Sequence, residues 1–239
     1  MLKLGLPSKG RLQTQVAEAF ARAGVTVERS GSDREYAGRI KGVDGVALVL
    51  LSAGEVPRAL AEGVLHLGVT GEDLIRERLA DSADAVAILS RLGFGHADLV
   101  VAVPSVWVDV ETMHDLDEAA AAFRAAHGRP LRVATKYHNL ARGFFARMGV
   151  ADYRLVDSQG ATEAAPKNGT AEALVDITSS GATLSANHLK ILDDGLILKS
   201  EAVLAASRAA SWTPQACAAL AALGERLGFA PPGFAAARG

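Results

Sequence analysis

The unbroken apolar run Val46–Leu51 constrains this chain more than any other feature. A strand with no polar face must be covered on both sides, which is the mark of a sheet sandwiched between helices. The flanking sequence supplies those helices. Leu12, Val16, Ala19, Phe20 and Ala23 fall on one helical face that Gly24 ends. Helices around Glu55–Glu62 and from Glu72 to Leu79 alternate with strands at Leu2–Leu6 and Leu65–Val69. This β-α-β-α order with short connections predicts a parallel sheet with right-handed crossovers.

The alternation continues downstream. Val86–Leu89 and Asp98–Val103 predict two more strands, the second stopped by Pro104. Asp115–His127 reads as a helix with Leu116, Ala119, Ala120 and Phe123 on one face and Asp115 as its cap. Leu131–Thr135 opens a second β-α set whose helix is lined by Leu140, Phe144, Phe145 and Met148. Strands follow at Tyr153–Val156 and Leu174–Ile177, and a helix starts near Gly181. Asp193-Asp194-Gly195 predicts a hairpin turn between Leu189–Leu192 and Leu196–Leu198. An amphipathic helix spans Thr213–Leu227, and Pro231–Gly239 reads as a loose tail. The expected fold is α/β, with two α/β lobes and a ligand-binding cleft between them. Residues 1–95 and 186–230 form lobe I, residues 96–185 form lobe II, and residues 231–239 are the tail.

Composition narrows the function. With 239 residues, 49% of them hydrophobic and 22% charged, the chain is neither disordered nor fibrous. The balance of 25 basic against 27 acidic residues, net −2, argues against nucleic-acid or membrane partners. Phosphate chemistry must then come from local charge. The lone Cys217, an N-terminus without a secretory pattern and the lack of any apolar window of about 18 residues predict a cytoplasmic protein. His66, His96, His114, His127, His138 and His188 lack metal-ligand spacing, so no protein-held metal is expected. No nucleophile elbow occurs either, which favours chemistry by positioning and electrostatics.

Three segments carry that chemistry. In the stretch from Leu174 to Leu184, Asp176 ends an apolar strand and Thr178-Ser179-Ser180-Gly181-Ala182-Thr183 opens a helix. Backbone N–H groups at a helix start bind a phosphate dianion. Ser179, Ser180 and Thr183 add hydroxyl donors, Gly181 permits close approach, and Asp176 is suited to a vicinal diol. Such a turn alone is equally an ordinary serine-capped helix start; Asp176 and Glu163 at their offsets favour the ligand reading. In Pro7-Ser8-Lys9-Gly10-Arg11-Leu12, Lys9 and Arg11 flank a glycine at a helix start, a place for a polyanion. Walker spacing is absent, and the hexapeptide by itself reads more readily as a solvated basic turn. In Gly68-Val69-Thr70-Gly71-Glu72-Asp73, Thr70 and Gly71 present N–H groups, while Glu72 and Asp73 also suit a helix's first turn. Arg29, Arg34 and Lys136 are further cations at strand ends or loops.

Together these segments resemble the ATP phosphoribosyltransferases. Glu163, Gly169, Ala171, Asp176, Ser180, Gly181, Thr183 and Leu184 meet that family's pattern in register, with Leu174 where Ile or Val is usual. Pro7–Leu12, Gly68–Asp73 and Arg132–Tyr137 also resemble family segments. One departure is Ser52-Ala53-Gly54-Glu55-Val56-Pro57, where many members have Arg-Pro-Gln-Asp-Ile-Pro, so no arginine role carries onto it. The resemblance implies two lobes of periplasmic-binding-protein-like type and the short form, without a C-terminal regulatory domain. It implies transfer of the phosphoribosyl group of phosphoribosyl pyrophosphate to adenine N1 of ATP, with Mg²⁺ carried on the substrate phosphates. It further implies a homodimer and a hetero-octamer with a histidyl-tRNA-synthetase-like regulatory subunit that conveys histidine feedback. Asp176, Glu163, Lys9 and Arg11 are then the catalytic residues. Thr178–Thr183 hold the 5′-phosphate, and Gly160, Ala161, Thr162, Arg34, Thr70, Gly71, Asp73 and Lys136 are further substrate contacts.

Two other readings stay open at this point: a two-lobed module that binds a small anion without chemistry, and a phosphoribosyltransferase for another nucleobase. Purine salvage enzymes share the acid-and-turn pattern but carry two adjacent acids, whereas Val175 precedes Asp176 here.

Overall fold

A computed structural model of the chain describes residues 1–29, 37–79, 83–158 and 160–233. Arg34 and tail residues 234–239 lie outside the described residues. In chain order the elements begin with β1 (Leu2–Pro7), α1 (Gly10–Arg22), β2 (Thr26–Arg29), β3 (Ala37–Lys41), β4 (Val46–Leu51) and α2 (Val56–Ala61). There follow β5 (Leu67–Gly71), α3 (Glu72–Arg78), β6 (Val86–Arg91), β7 (Ala97–Pro104), α4 (Met113–His127), β8 (Leu131–Thr135) and α5 (His138–Met148). The last are β9 (Tyr153–Asp157), β10 (Ala173–Thr178), α6 (Ala182–Ala186), β11 (Leu189–Ser200), β12 (Ala202–Ser207) and α7 (Pro214–Leu227). The chain divides into two units, residues 1–95 with 201–239 and residues 96–200.

The first unit is built on a sheet of order β2-β3-β4-β1-β5-β12-β6. Only its centre, β4-β1-β5, is parallel; β2, β3, β12 and β6 pair antiparallel. The expected all-parallel sheet is therefore corrected to a mixed one. Strand alternation puts Val46, Leu48 and Leu50 into one core with Val16 and Phe20 of α1 and Leu220 and Leu223 of α7. The opposite face packs Val49 and Leu51 near Val56 and Leu60 of α2 and Ile75 of α3. That two-sided cover is what an apolar strand demands. Strands β2, β3 and β12 have no counterpart in the expectations above. The first two are short and charged, as suits a sheet edge. The third, Ala-Val-Leu-Ala-Ala-Ser, is built mostly from alanine, a residue with little strand propensity, and is buried along its whole length.

The second unit has sheet order β11-β7-β10-β8-β9, with β10, β8 and β9 parallel and β7 and β11 antiparallel. α4 buries Met113, Leu116 and Ala120, and α5 buries Ala141, Phe144 and Phe145. Met148 is exposed and Ala141 takes the place expected for it. Thr112, not Asp115, caps α4. Its hydroxyl accepts the Asp115 N–H at 3.2 Å while the Asp115 carboxylate accepts the Thr112 N–H at 2.8 Å, a reciprocal capping box.

The hairpin expected at Asp193-Asp194-Gly195 does not form. Both flanks belong to the single strand β11, which pairs with β7 throughout and bulges between Ile191, opposite Ala102, and Leu196, opposite Val100. The bulge is occupied: Asp194 accepts the Met113 N–H at 2.7 Å, at the start of α4. Gly195 is required there because a Cβ would stand 3.1 Å from the Val101 carbonyl oxygen and 2.9 Å from the Leu192 Cβ. With β11 in the second sheet, the boundary expected near residue 186 moves to 200/201.

His66 is a structural histidine. It is 8% exposed, packs edge-on against Trp212, accepts the Lys3 N–H at Nδ1 and faces the Ser211 carbonyl with Nε2 at 3.1 Å. Burial pushes its pKa down, opposed by the Ser211 carbonyl. The unfolded state then binds more protons below the ordinary value of 6.5, so the contribution of neutral His66 is complete above that pH and declines as pH falls through it. Urea melts between about pH 5 and 7.5 should show this slope in the wild type and a reduced one in His66→Gln.

Candidate functional site

In the second unit the chain runs from β8 outward to β9 and then returns to the other side of β8 to form β10. Loops leaving the carboxyl ends of strands that part in this way open a crevice between them. Lys136 leaves β8 at that point, and Asp176 lies on β10 one residue past Val175, which pairs with Thr135. Glu163 and Thr162 arrive on a helical turn, Thr162–Ala164. The structure thus brings together Asp176, Glu163, Thr162, Lys136 and the 178–183 turn.

Asp176 is half-buried, and burial pushes its carboxyl above the ordinary range. The Ile177 N–H, 2.9 Å from Oδ1, together with Lys136 and the Thr162 hydroxyl, pulls it back, while Glu163 adds to the rise. Lys136 does not pair directly; its Nζ donates to the Gly160 carbonyl at 2.9 Å. Thr162 is wholly buried and cannot touch a substrate. Gly160 and Ala161 are exposed.

The turn is partly self-satisfied. Gly181, at φ +72°, donates its N–H to Thr178 Oγ1 at 2.8 Å, and the Ala182 N–H leans on Ser180 Oγ at 3.4 Å. Those two amides are braces of the turn, which corrects the expectation of a wholly open amide cradle. Ser179, Ser180 and Thr183 stay exposed, and the short α6 follows.

The turn carrying Glu163 is tied down by a cluster the sequence reading missed. Glu172 accepts from Arg132 Nη2 at 2.6 Å, the Arg132 N–H at 2.8 Å and Arg129 Nη2 at 3.1 Å, and Arg132 Nη2 also donates to the Gly169 carbonyl at 2.8 Å. Burial raises the Glu172 carboxyl, but these donors outweigh it and hold the group at about 2. Residues 40 positions apart leave no local signal of such a pair.

In the first unit the ends of β4, β1 and β5 collect the other motifs. Lys9 and Arg11 are exposed at the start of α1, which has no side-chain cap and no acid in its first turn. Ser8, Lys9, Leu51, Ser52 and Glu55 line a cavity of ≈ 530 Å³. Hydrogen bonds from the Ser52 hydroxyl and amide, then the nearby Lys9 charge, lower the Glu55 pKa. Thr70 is buried and donates to the Ala53 carbonyl at 2.7 Å, so it braces the 52–55 loop. Asp73 is 4% exposed and also turned inward. Glu72, 1% exposed, is gripped by Arg91 at 2.8 Å and Arg76 at 2.7 Å. Gly71 stays partly exposed. Among the described residues no group of three or more His, Cys, Asp or Glu is placed to hold a metal ion.

Two mixed α/β units, one ending a parallel strand in an acid and a Ser-Ser-Gly-x-Thr turn, define a phosphoribosyltransferase on a periplasmic-binding-protein-like fold. Residues 52–227 match the family model HisG: ATP phosphoribosyltransferase. The chain belongs to the ATP phosphoribosyltransferase family. It is 62% identical over 231 residues to an ATP phosphoribosyltransferase of Cereibacter sphaeroides, covering 97% of this chain and 98% of the relative. An ATP phosphoribosyltransferase of Rhodopseudomonas palustris (strain BisB18) is 59% identical over 89% of this chain, which spans 66% of that longer relative. Among solved structures, a chain of the ATP phosphoribosyl transferase (HisG:HisZ) complex from Thermotoga maritima matches with TM-score 0.63 at 25% identity, covering 87% of this chain and 88% of that one. The ancestral amino acid-binding protein AncCDT-1 shares the fold alone, at TM-score 0.52 and 14% identity over 95% of this chain and 87% of that one.

Glu172→Gln should cost about 1–3 kcal/mol at pH 7 by denaturant unfolding, because charged donors lose their carboxylate. Folded Glu172 titrates at about 2 against 4.5 for the free group, so its contribution is present above 4.5 and lost as pH falls toward 2. The acid-side stability slope should be shallower in the variant.

Proposed function

We propose that this chain transfers the 5-phosphoribosyl group of phosphoribosyl pyrophosphate to N1 of the adenine of ATP, releasing pyrophosphate, the first step of histidine biosynthesis. The observation that carries this reading is the convergence of Asp176, Glu163 and Lys136 with the 178–183 turn in a member of this family. Asp176 and Glu163 accept from the ribose hydroxyls, and their charge favours the oxocarbenium-like cation that develops at the anomeric carbon. Ser179, Ser180 and Thr183 hold the 5′-phosphate at the turn, with Gly181 and Ala182 shaping it. Lys136 balances the paired acids. Lys9 and Arg11, exposed at an uncapped helix start, bind pyrophosphate or the ATP phosphates. Gly160, Ala161 and Gly71 contribute backbone near the substrates. Adenine N1 attacks with inversion, and orientation supplies several kcal/mol of the barrier reduction. No general base is needed for the attack.

Mg²⁺ enters on the substrate phosphates, since it keeps its waters and phosphate oxygens in preference to an all-protein cage. Bound there, it neutralises the leaving pyrophosphate. The assembly is a homodimer that joins a histidyl-tRNA-synthetase-like regulatory subunit in a hetero-octamer, supported by the HisG:HisZ title of the related complex. The compartment is the cytoplasm; no described helix is long and apolar enough to cross a membrane.

Incubating the chain, with and without that partner, with ATP and the activated sugar should release pyrophosphate and form an absorbing adduct. Free nucleobases should give neither, and product from them in place of ATP would overturn the assignment. Asp176→Ala and Arg11→Ala should each lower kcat/KM by about 10²-fold, or ~2.7 kcal/mol in barrier; full activity in both would remove them from these roles.

A further inference from the structure

A wholly buried threonine beside a half-buried carboxylate needs a reason to be polar. Thr162 is 0% exposed, and its hydroxyl is engaged on both sides. Ser158 Oγ donates to Thr162 Oγ1 at 3.0 Å, and the Thr162 hydroxyl bonds to the Asp176 carboxylate. The direction of the relay is forced. An ionised carboxylate only accepts, so with Ser158 donating to Thr162, the Thr162 proton points to Asp176. The one other donor seen on that carboxylate among the described residues is the Ile177 N–H, at 2.9 Å from Oδ1. Lys136 does not compete, because its Nζ is committed to the Gly160 carbonyl.

We propose that Thr162 is a positioning residue for phosphoribosyl transfer: oriented by Ser158, its hydroxyl fixes the Asp176 carboxylate in the attitude that meets the ribose hydroxyls. This rests on the reaction proposed above and replaces a substrate-contacting role for Thr162. The same hydrogen bond favours the ionised form of Asp176. Of the charged groups facing it, Lys136 beyond β8 acts in the same direction and Glu163 on the adjoining turn acts against it. On the β7 side Asp176 stands opposite Val100, which carries no charge.

Thr162→Val keeps the side-chain shape and removes the donor, whereas Thr162→Ser keeps the donor. With ¹³C-labelled aspartate and Asp176→Asn as the assignment control, the Asp176 titration midpoint should rise by about one pH unit in Thr162→Val and stay put in Thr162→Ser. Ser158→Ala, at a less buried site, should move it the same way by less. The acid limb of kcat/KM for the activated sugar should shift with the midpoint in Thr162→Val, with a loss on the order of tenfold, and Thr162→Ser should restore both. An unmoved midpoint, an unmoved acid limb, or equal impairment in Thr162→Ser and Thr162→Val would overturn the proposal. A wild-type chain inactive with ATP and the activated sugar would sink the reaction instead, and the titration would still decide whether Thr162 governs Asp176.

Discussion

The parallel pairing of β8 with β10 is the constraint on which the second unit's chemistry depends. Thr135 stands opposite Val175, so Lys136 and Asp176 leave or end their strands at the same level. Because β9 lies on the far side of β8, the chain must cross back before β10, and the segment that makes the crossing carries Thr162 and Glu163. A parallel crossover is long by necessity. Its length lets the acid be delivered to the strand end while the Arg132–Glu172 cluster anchors the segment's other end to the start of β8.

Threonines in the motifs act as braces more than as ligands. Thr70 holds the 52–55 loop, Thr162 links Ser158 to Asp176, and Thr178 holds the Gly181 amide. Each sits beside positions expected to meet substrate. Buried hydroxyls must be hydrogen-bonded, and a threonine that satisfies a loop carbonyl or amide makes that loop rigid at little cost. Pre-organisation of this kind suits a reaction whose barrier is lowered by orientation and fixed charge.

Much of the architecture was legible. Strands such as Val46–Leu51 and Leu131–Thr135 and helices such as 214–227 announce themselves by apolar runs and periodicity. The failures have physical causes. Asp-Asp-Gly has hairpin chemistry, but β7 offers one continuous partner to both flanks, and Asp194 is worth more capping α4 than closing a turn. β12 is alanine-rich and is a strand because β5 and β6 hold it from both sides. Asp115 is a sound capping residue, yet Thr112 three positions earlier completes the reciprocal pair.

The sequence by itself determined that strands alternate with helices, that an acid precedes a Ser-Ser-Gly-x-Thr turn, and that the segments from Pro7 to Leu184 carry one family's pattern. These properties are local: they depend on residue type and on spacing within a turn or a strand. Only the tertiary structure decided that Thr162 faces inward, that Glu172 meets Arg132 and Arg129, and that β11 stays in the second sheet. Those outcomes depend on strand order and register, which bring together residues tens of positions apart, and no local pattern encodes which distant partner will satisfy a buried polar group.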